Sequence, residues 1–103
     1  MKKLTFYDVS YEVDARYEDY AVFKLPSSNV DFCGHKQDEG KETCEFFVQF
    51  MNGGTYIYKD VDPEVVKKAS QAESIGKYIR AEISGKYTST KLIHQIMTKS
   101  EEQ

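Results

Sequence analysis

Several features are scarce in these 103 residues, and each scarcity narrows the reading. No stretch approaches the roughly 18–20 consecutive apolar residues that a membrane-spanning helix needs. Cysteine is limited to Cys33 and Cys44, so the chain is no disulfide scaffold. Met1-Lys2-Lys3 runs straight into alternating residues with no apolar leader segment, so the expectation is a cytosolic protein with two free thiols. Positive charge is also short. The formal net charge of −3 gives no general attraction to nucleic acid. Residues 1–60 carry seven Lys or Arg against eleven Asp or Glu, and residues 61–103 seven against six. The local excess lies at Lys77, Arg80, Lys86 and Lys91, opposed by Glu82.

Motifs with built-in chemistry are missing too. There is no HExxH, no CxxC, no Walker loop and no ordered triad. Cys33, Cys44, His35 and His94 are the material for a thiol–imidazole pair. Cys44, however, shares a strand face with Phe46 and Val48, which reads as an inert buried thiol. His35 has no second metal ligand near it, and the carboxylates fall mostly in loops and helix starts. The expectation is a non-catalytic protein with no metal and no cofactor.

What the chain has is aromatic mass, with eight Tyr and six Phe in one domain-sized length. The organising stretch is 44–87. Cys44, Phe46, Val48 and Phe50 alternate with Glu45, Phe47 and Gln49, a half-buried strand with Phe47 on the second face. Asn52-Gly53 predicts a type I′ turn, with Gly54 adding a bulge. Tyr56 and Tyr58 then share one face of the returning strand.

Before it, residues 4–13 alternate as one strand and residues 20–25 as a second, ended by Pro26, with an acidic turn or short helical stretch over 14–19. The two strands suit a hairpin. Ser27-Ser28-Asn29 turns into a short strand at 30–33, and Gly34 to Thr43, which holds no apolar residue, reads as an exposed loop.

After it, Asp62-Pro63-Glu64 starts a helix predicted over 63–72, because Asp62 accepts from free N–H groups and Pro63 lacks the donor that would go unused. Ser74 caps a second helix whose apolar stripe is Ile75, Tyr78, Ile79 and Ile83, ended by Gly85. Gly76 in its first turn costs about 1 kcal/mol against alanine, which points to a close approach there. Leu92, Ile93, Ile96 and Met97 predict a short helical turn within 91–103, followed by a polar tail from Thr98.

From Ser27 onward the sequence resembles the KTSC domain family, small domains found alone in bacterial and phage proteins and at the C-terminus of some lysyl-tRNA synthetases. The resemblance is carried by Ser27-Ser28-Asn29-Val30, Phe50-Met51-Asn52-Gly53-Gly54 and the Tyr56-Ile57-Tyr58 signature. It continues through Asp60-Val61-Asp62-Pro63, Ala72-Glu73-Ser74-Ile75-Gly76-Lys77-Tyr78, Ile83 and Lys86-Tyr87. Three departures stand out: the extended Gly34–Thr43 segment, Arg80 where members often have Asn, and the extra first 26 residues. Attachment to the synthetase implies RNA as a ligand, by association.

These readings give an α+β domain: a small antiparallel sheet of hairpins against two short helices, plus a short C-terminal helix. Its parts are an added N-terminal strand pair over 1–26, the KTSC-like domain over 27–90 and a C-terminal turn and tail over 91–103. The candidate ligand surface is Tyr56, Tyr58, Ser74, Gly76, Lys77, Arg80, Lys86 and Tyr87, taking nucleic acid or a nucleotide. Helix N–H groups and cations would hold phosphate there, and tyrosines would stack bases. The competing reading makes Tyr56 and Tyr58 core residues and the cations a solvated face. A third makes the chain a phage or bacterial accessory protein that binds a host protein or pairs with itself as a homodimer.

Overall fold

A computed structural model describes residues 2–100. Its centre is an antiparallel five-stranded sheet in the order β3-β4-β5-β6-β7, from Ala21–Phe23, Val30–Gln37, Cys44–Phe50, Thr55–Val61 and Ser89–Leu92. Helices α1 (Pro63–Ala69) and α2 (Ile75–Glu82) pack on one face. A three-stranded antiparallel sheet, β1-β2-β8, packs on the other; its strands are Lys3–Phe6, Val9–Val13 and Met97–Lys99. The fold is α+β and dominated by strands.

Alternation decides which side chains meet which layer. Cys33, Cys44, Phe46, Val48 and Tyr58 face the helices and are buried with Val66, Ala69, Ile75, Ile79 and Ile83. The opposite set, Phe32, Phe47 and Ile57, is buried with Val13, Tyr20, Ile96 and Met97. Phe47, whose sequence position left its environment open, is therefore a core residue. Its ring lies so close over Gly34 that a Cβ there would stand 2.1 Å from it. This is why the segment from Gly34 is not the expected loop. Gly34 is a strand residue that leaves room for a ring, β4 continues to Gln37, and the connection shrinks to residues 38–43.

The turns also differ from expectation. The predicted single strand over 4–13 breaks at Tyr7-Asp8, where φ is +51° and +66°, and folds back as the β1–β2 hairpin. The Tyr7 hydroxyl donates to the Lys24 carbonyl (3.3 Å), tethering this turn to the end of β3. At Asn52-Gly53 only Gly53 has positive φ, +91°. Its N–H bonds the Phe50 carbonyl and the Phe50 N–H bonds the Gly54 carbonyl, both at 2.8 Å. That is a three-residue connection with a bulge in place of the type I′ turn.

The expected pairing of the first two strands does not form: β2 pairs β1 and β8, while β3 pairs β4. Between them Asp14 caps a 3-10 turn over Ala15–Tyr17, accepting from the Arg16 N–H (3.0 Å) and guanidinium (2.7 Å).

Both helices start where the sequence places them. Asp62 accepts from Glu64 N–H at 2.8 Å, and Ser74 from Lys77 N–H at 3.4 Å. The first ends at Ala69, short of the predicted residue 72.

The predicted C-terminal helix is absent; its residues become β7 and β8. Edge-strand hydrogen bonds outcompete one or two turns of an isolated helix, which nucleate poorly. Gln49, buried on the far face, anchors β8. Its amide oxygen accepts from Ile96 and Met97 N–H (3.0 and 2.9 Å), and its amide nitrogen donates to the Met97 carbonyl (2.8 Å). Of the expected polar tail, Thr98 and Lys99 lie in β8 and Ser100 is buried. Residues 101–103 lie outside the described residues.

Candidate binding surface on the helical layer

The structure divides the sequence-derived site. One group gathers where the β5–β6 turn meets the start of α2. Ser74 is the cap, and the buried backbone of Gly76 lies against Asn29, whose Oδ1 stands 2.7 Å from where a Cβ would be. The Asn29 carbonyl accepts from Met51 N–H at 2.8 Å, tying this loop to the turn. The close approach that Gly76 implied is thus to the Ser27-Ser28-Asn29 loop. Lys77 is exposed, and Arg80, also exposed, follows on the same helix face at i+3.

Tyr56 completes this end. Its half-buried ring meets Phe50 edge-on with centroids 6.0 Å apart, and the Lys91 ammonium lies 5.8 Å from its centroid. Tyr58 shares the Tyr56 face but points under the helices and is 6% exposed, so it offers no open ring to a base. Burial raises its phenol pKa. Tyr87 belongs to the opposite end of β6, where its hydroxyl accepts from Asp62 N–H at a long 3.5 Å. Asp62 is six residue steps along the chain from Tyr56, roughly 20 Å at the usual strand rise. Lys86 pairs with Glu82 at 3.7 Å.

The charges fall into two populations. In the strand-rich part, Arg16 pairs with Asp14, Lys24 with Asp31, Lys36 with Asp19 and Lys41 with Asp60. Over 63–91 there are six Lys or Arg against three Glu. Among the described residues Lys67, Lys68, Lys77, Arg80 and Lys91 form no ion pair; Lys86 is the exception. The sequence indicated the excess, but pairing depends on which acids the fold brings near.

The thiol–imidazole material separates as well. Cys33 and Cys44 are free and buried. Burial pushes both thiols up, with Asp38 and Asp62 adding to the effect at Cys44, so neither is a ready thiolate. His94 lies on the far side near Tyr17. Among the described residues no three His, Cys, Asp or Glu side chains come together as a metal site. None of the described helices is long and apolar enough to cross a membrane.

Comparison with known proteins fits this geometry. The KTSC domain model matches residues 26–87, from just before β4 to the turn after α2, leaving out β1, β2, β3, β7 and β8. The crystal structure of a KTSC domain protein from Yersinia pestis is similar at a TM-score of 0.62 and 25% identity, covering 71% of this chain and 97% of that one. No curated protein matches the chain. The matched span takes in more than half of the sequence and all the buried residues of the sheet–helix core, and the chain belongs to the KTSC domain family.

Proposed function

We propose that this protein is a non-catalytic binding domain whose helical layer holds a phosphate-bearing ligand, RNA or a nucleotide. The observation that carries the reading is the set of cations on α1, α2 and β7 without acidic partners, in a chain whose strand-rich half neutralises most of its own. Lys77 lies in the first turn of α2 and Arg80 in its last, both exposed, and Lys91 stands beside the Tyr56 ring, so the cations form a spread surface suited to a phosphate backbone. Tyr56 contributes an edge against which a sugar or base can rest, and Tyr58 supports it from the core. The ligand is held mainly by charge, so affinity is modest and salt-dependent.

Fluorescence anisotropy with a labelled single-stranded RNA tests this. With about three phosphate contacts, affinity should fall roughly twentyfold between about 50 and 200 mM salt. Lys77→Ala/Arg80→Ala should remove most of the binding and flatten the salt dependence. Absence of binding by the folded wild type, or an unchanged double variant, would reject the reading.

A different observation supports a second reading, association with another copy. Strand β7 is a sheet edge, and just beyond it Ile93 is fully exposed, with Met51 50% exposed on the adjoining turn. Antiparallel pairing of two β7 edges would cover Ile93. Sedimentation velocity should then show a dimer that Ile93→Lys dissociates; a monomer at all concentrations would end this reading.

A further inference from the structure

The helices do not reach the whole of the sheet. On β4 the positions facing them run Cys33, His35, Gln37, and their exposure rises from buried to half-buried to exposed. Where the cover stops, an open cleft of about 690 Å³ remains between α1 and the β3–β4 edge. That size is ordinary for a small-molecule site, roughly 300–1,000 Å³. Its apolar floor is Val66 and Cys44, and its rim includes Ala21 and Pro63.

The polar groups of this cleft are not equivalent. Lys36 is committed to Asp19 (3.4 Å) and to the Tyr20 ring, 5.1 Å from its centroid. The Gln37 amide nitrogen donates to the Lys41 carbonyl at 3.0 Å, and the Ser70 hydroxyl to the Lys67 carbonyl at 2.7 Å. Two nitrogen-bearing side chains are left. The His35 imidazole and the Lys67 ammonium, from opposite walls, have no hydrogen-bond or ion-pair partner among the described residues. One wall is α1, and the other includes β3, which lies outside the span matched to the family.

We propose that this cleft is a separate binding site for a small ligand that joins an anionic head to a compact apolar body. The head lies between Lys67 and His35, and the body covers Val66 and the edge of Cys44 beneath Ala21 and Pro63. Phosphate and carboxylate heads share this chemistry. A half-buried imidazole facing an unpaired ammonium across an apolar floor suits such a ligand better than a bare ion, which would leave the floor wet. The site is independent of the Lys77–Arg80 surface, which has none of the lining residues.

The test is an NMR titration following the His35 imidazole protons, with phenyl phosphate and 3-phenylpropionate as probes and inorganic phosphate and benzyl alcohol as their separate halves. At least one two-part probe should give a saturable shift at or below about 10 mM, the range of weak specific binding, while the halves bind far more weakly. The tighter probe identifies the head group. Lys67→Ala should weaken binding about tenfold, the loss of one charge-assisted contact. Ala21→Trp, on an exposed edge position, should block the cleft without changing charge, and Lys77→Ala/Arg80→Ala should leave binding unchanged. No saturable shift from either probe, or a response that inorganic phosphate reproduces and Ala21→Trp spares, would overturn the proposal.

Discussion

The two faces of the central sheet are closed by different parts of the chain. Every fully buried member of the helix-side core, from Val30 to Ile83, lies within the span shared with the family. On the far side only Phe32, Phe47 and Ile57 do; Val13, Tyr20, Ile96 and Met97 come from the flanking segments. The chemistry differs as well. The helix side is mainly aliphatic, fitted by helical stripes. The far side is built on rings meeting edge-on: Tyr11 and Phe6 on Phe32 (4.7 and 5.5 Å) and Tyr20 on Phe47 (5.6 Å). A sheet of this kind needs cover on both faces, and here the second cover comes from segments added at both ends of the shared domain.

If both faces are needed for stability, Phe47→Ala should have the largest effect, about 3–5 kcal/mol, because a fully buried ring is lost from beneath Tyr20 and above Gly34. Urea unfolding measures it. A loss below about 1 kcal/mol would show that the helix side sustains the fold alone. Next is Gln49→Ala, expected to cost about 1–3 kcal/mol by leaving the Ile96 and Met97 N–H groups and the Met97 carbonyl without their partner. Amide hydrogen exchange should then accelerate at residues 96–99 while β5 and β6 stay protected. Uniform acceleration would mean that the flanking layer does not open separately.

The smallest effect concerns the link from β2 toward the 3-10 turn, where Asp14 N–H bonds the Ile96 carbonyl (2.8 Å). The Arg16 guanidinium beside Asp14 holds its carboxyl at about 2, below the ordinary 3.8. A depressed carboxylate stabilises the fold above its unfolded pKa and loses that contribution as pH falls from about 4 to 2. Asp14→Asn should therefore flatten the acid limb of stability over that window. An unchanged limb would place the acid sensitivity elsewhere. Tyr20, by contrast, is pushed up by burial and then by its hydrogen bond to Glu45, so it stays neutral through this range.

Legibility follows the same division. The helix starts at Asp62 and Ser74, the β5–β6 hairpin and the helix-facing alternation were readable because each depends on neighbours within a few residues. Tyr7-Asp8 was not readable as a turn, since a tyrosine at positive φ has no local signature and is held by contact with Lys24. Gly34 read as a loop residue because its reason for being glycine is a ring on another strand. Residues 91–97 carried a weak helical pattern that long-range strand pairing over 89–92 and 97–99 overrode. Among the candidate ligand residues, the shared exposed face of Lys77 and Arg80 follows from their i, i+3 spacing, whereas Tyr87 and Lys86 proved remote from Tyr56, and His35 and Lys67 line one cleft only in the finished fold.

By itself, then, the sequence determined the family, the α+β class, the capped helices and the cationic excess after residue 62, because caps, period and charge are local properties. Tertiary structure decided which face each aromatic ring closes, that the C-terminal segment is strand, and which cations lack an acid. Those outcomes depend on contacts between residues far apart in the chain, and no local pattern encodes them.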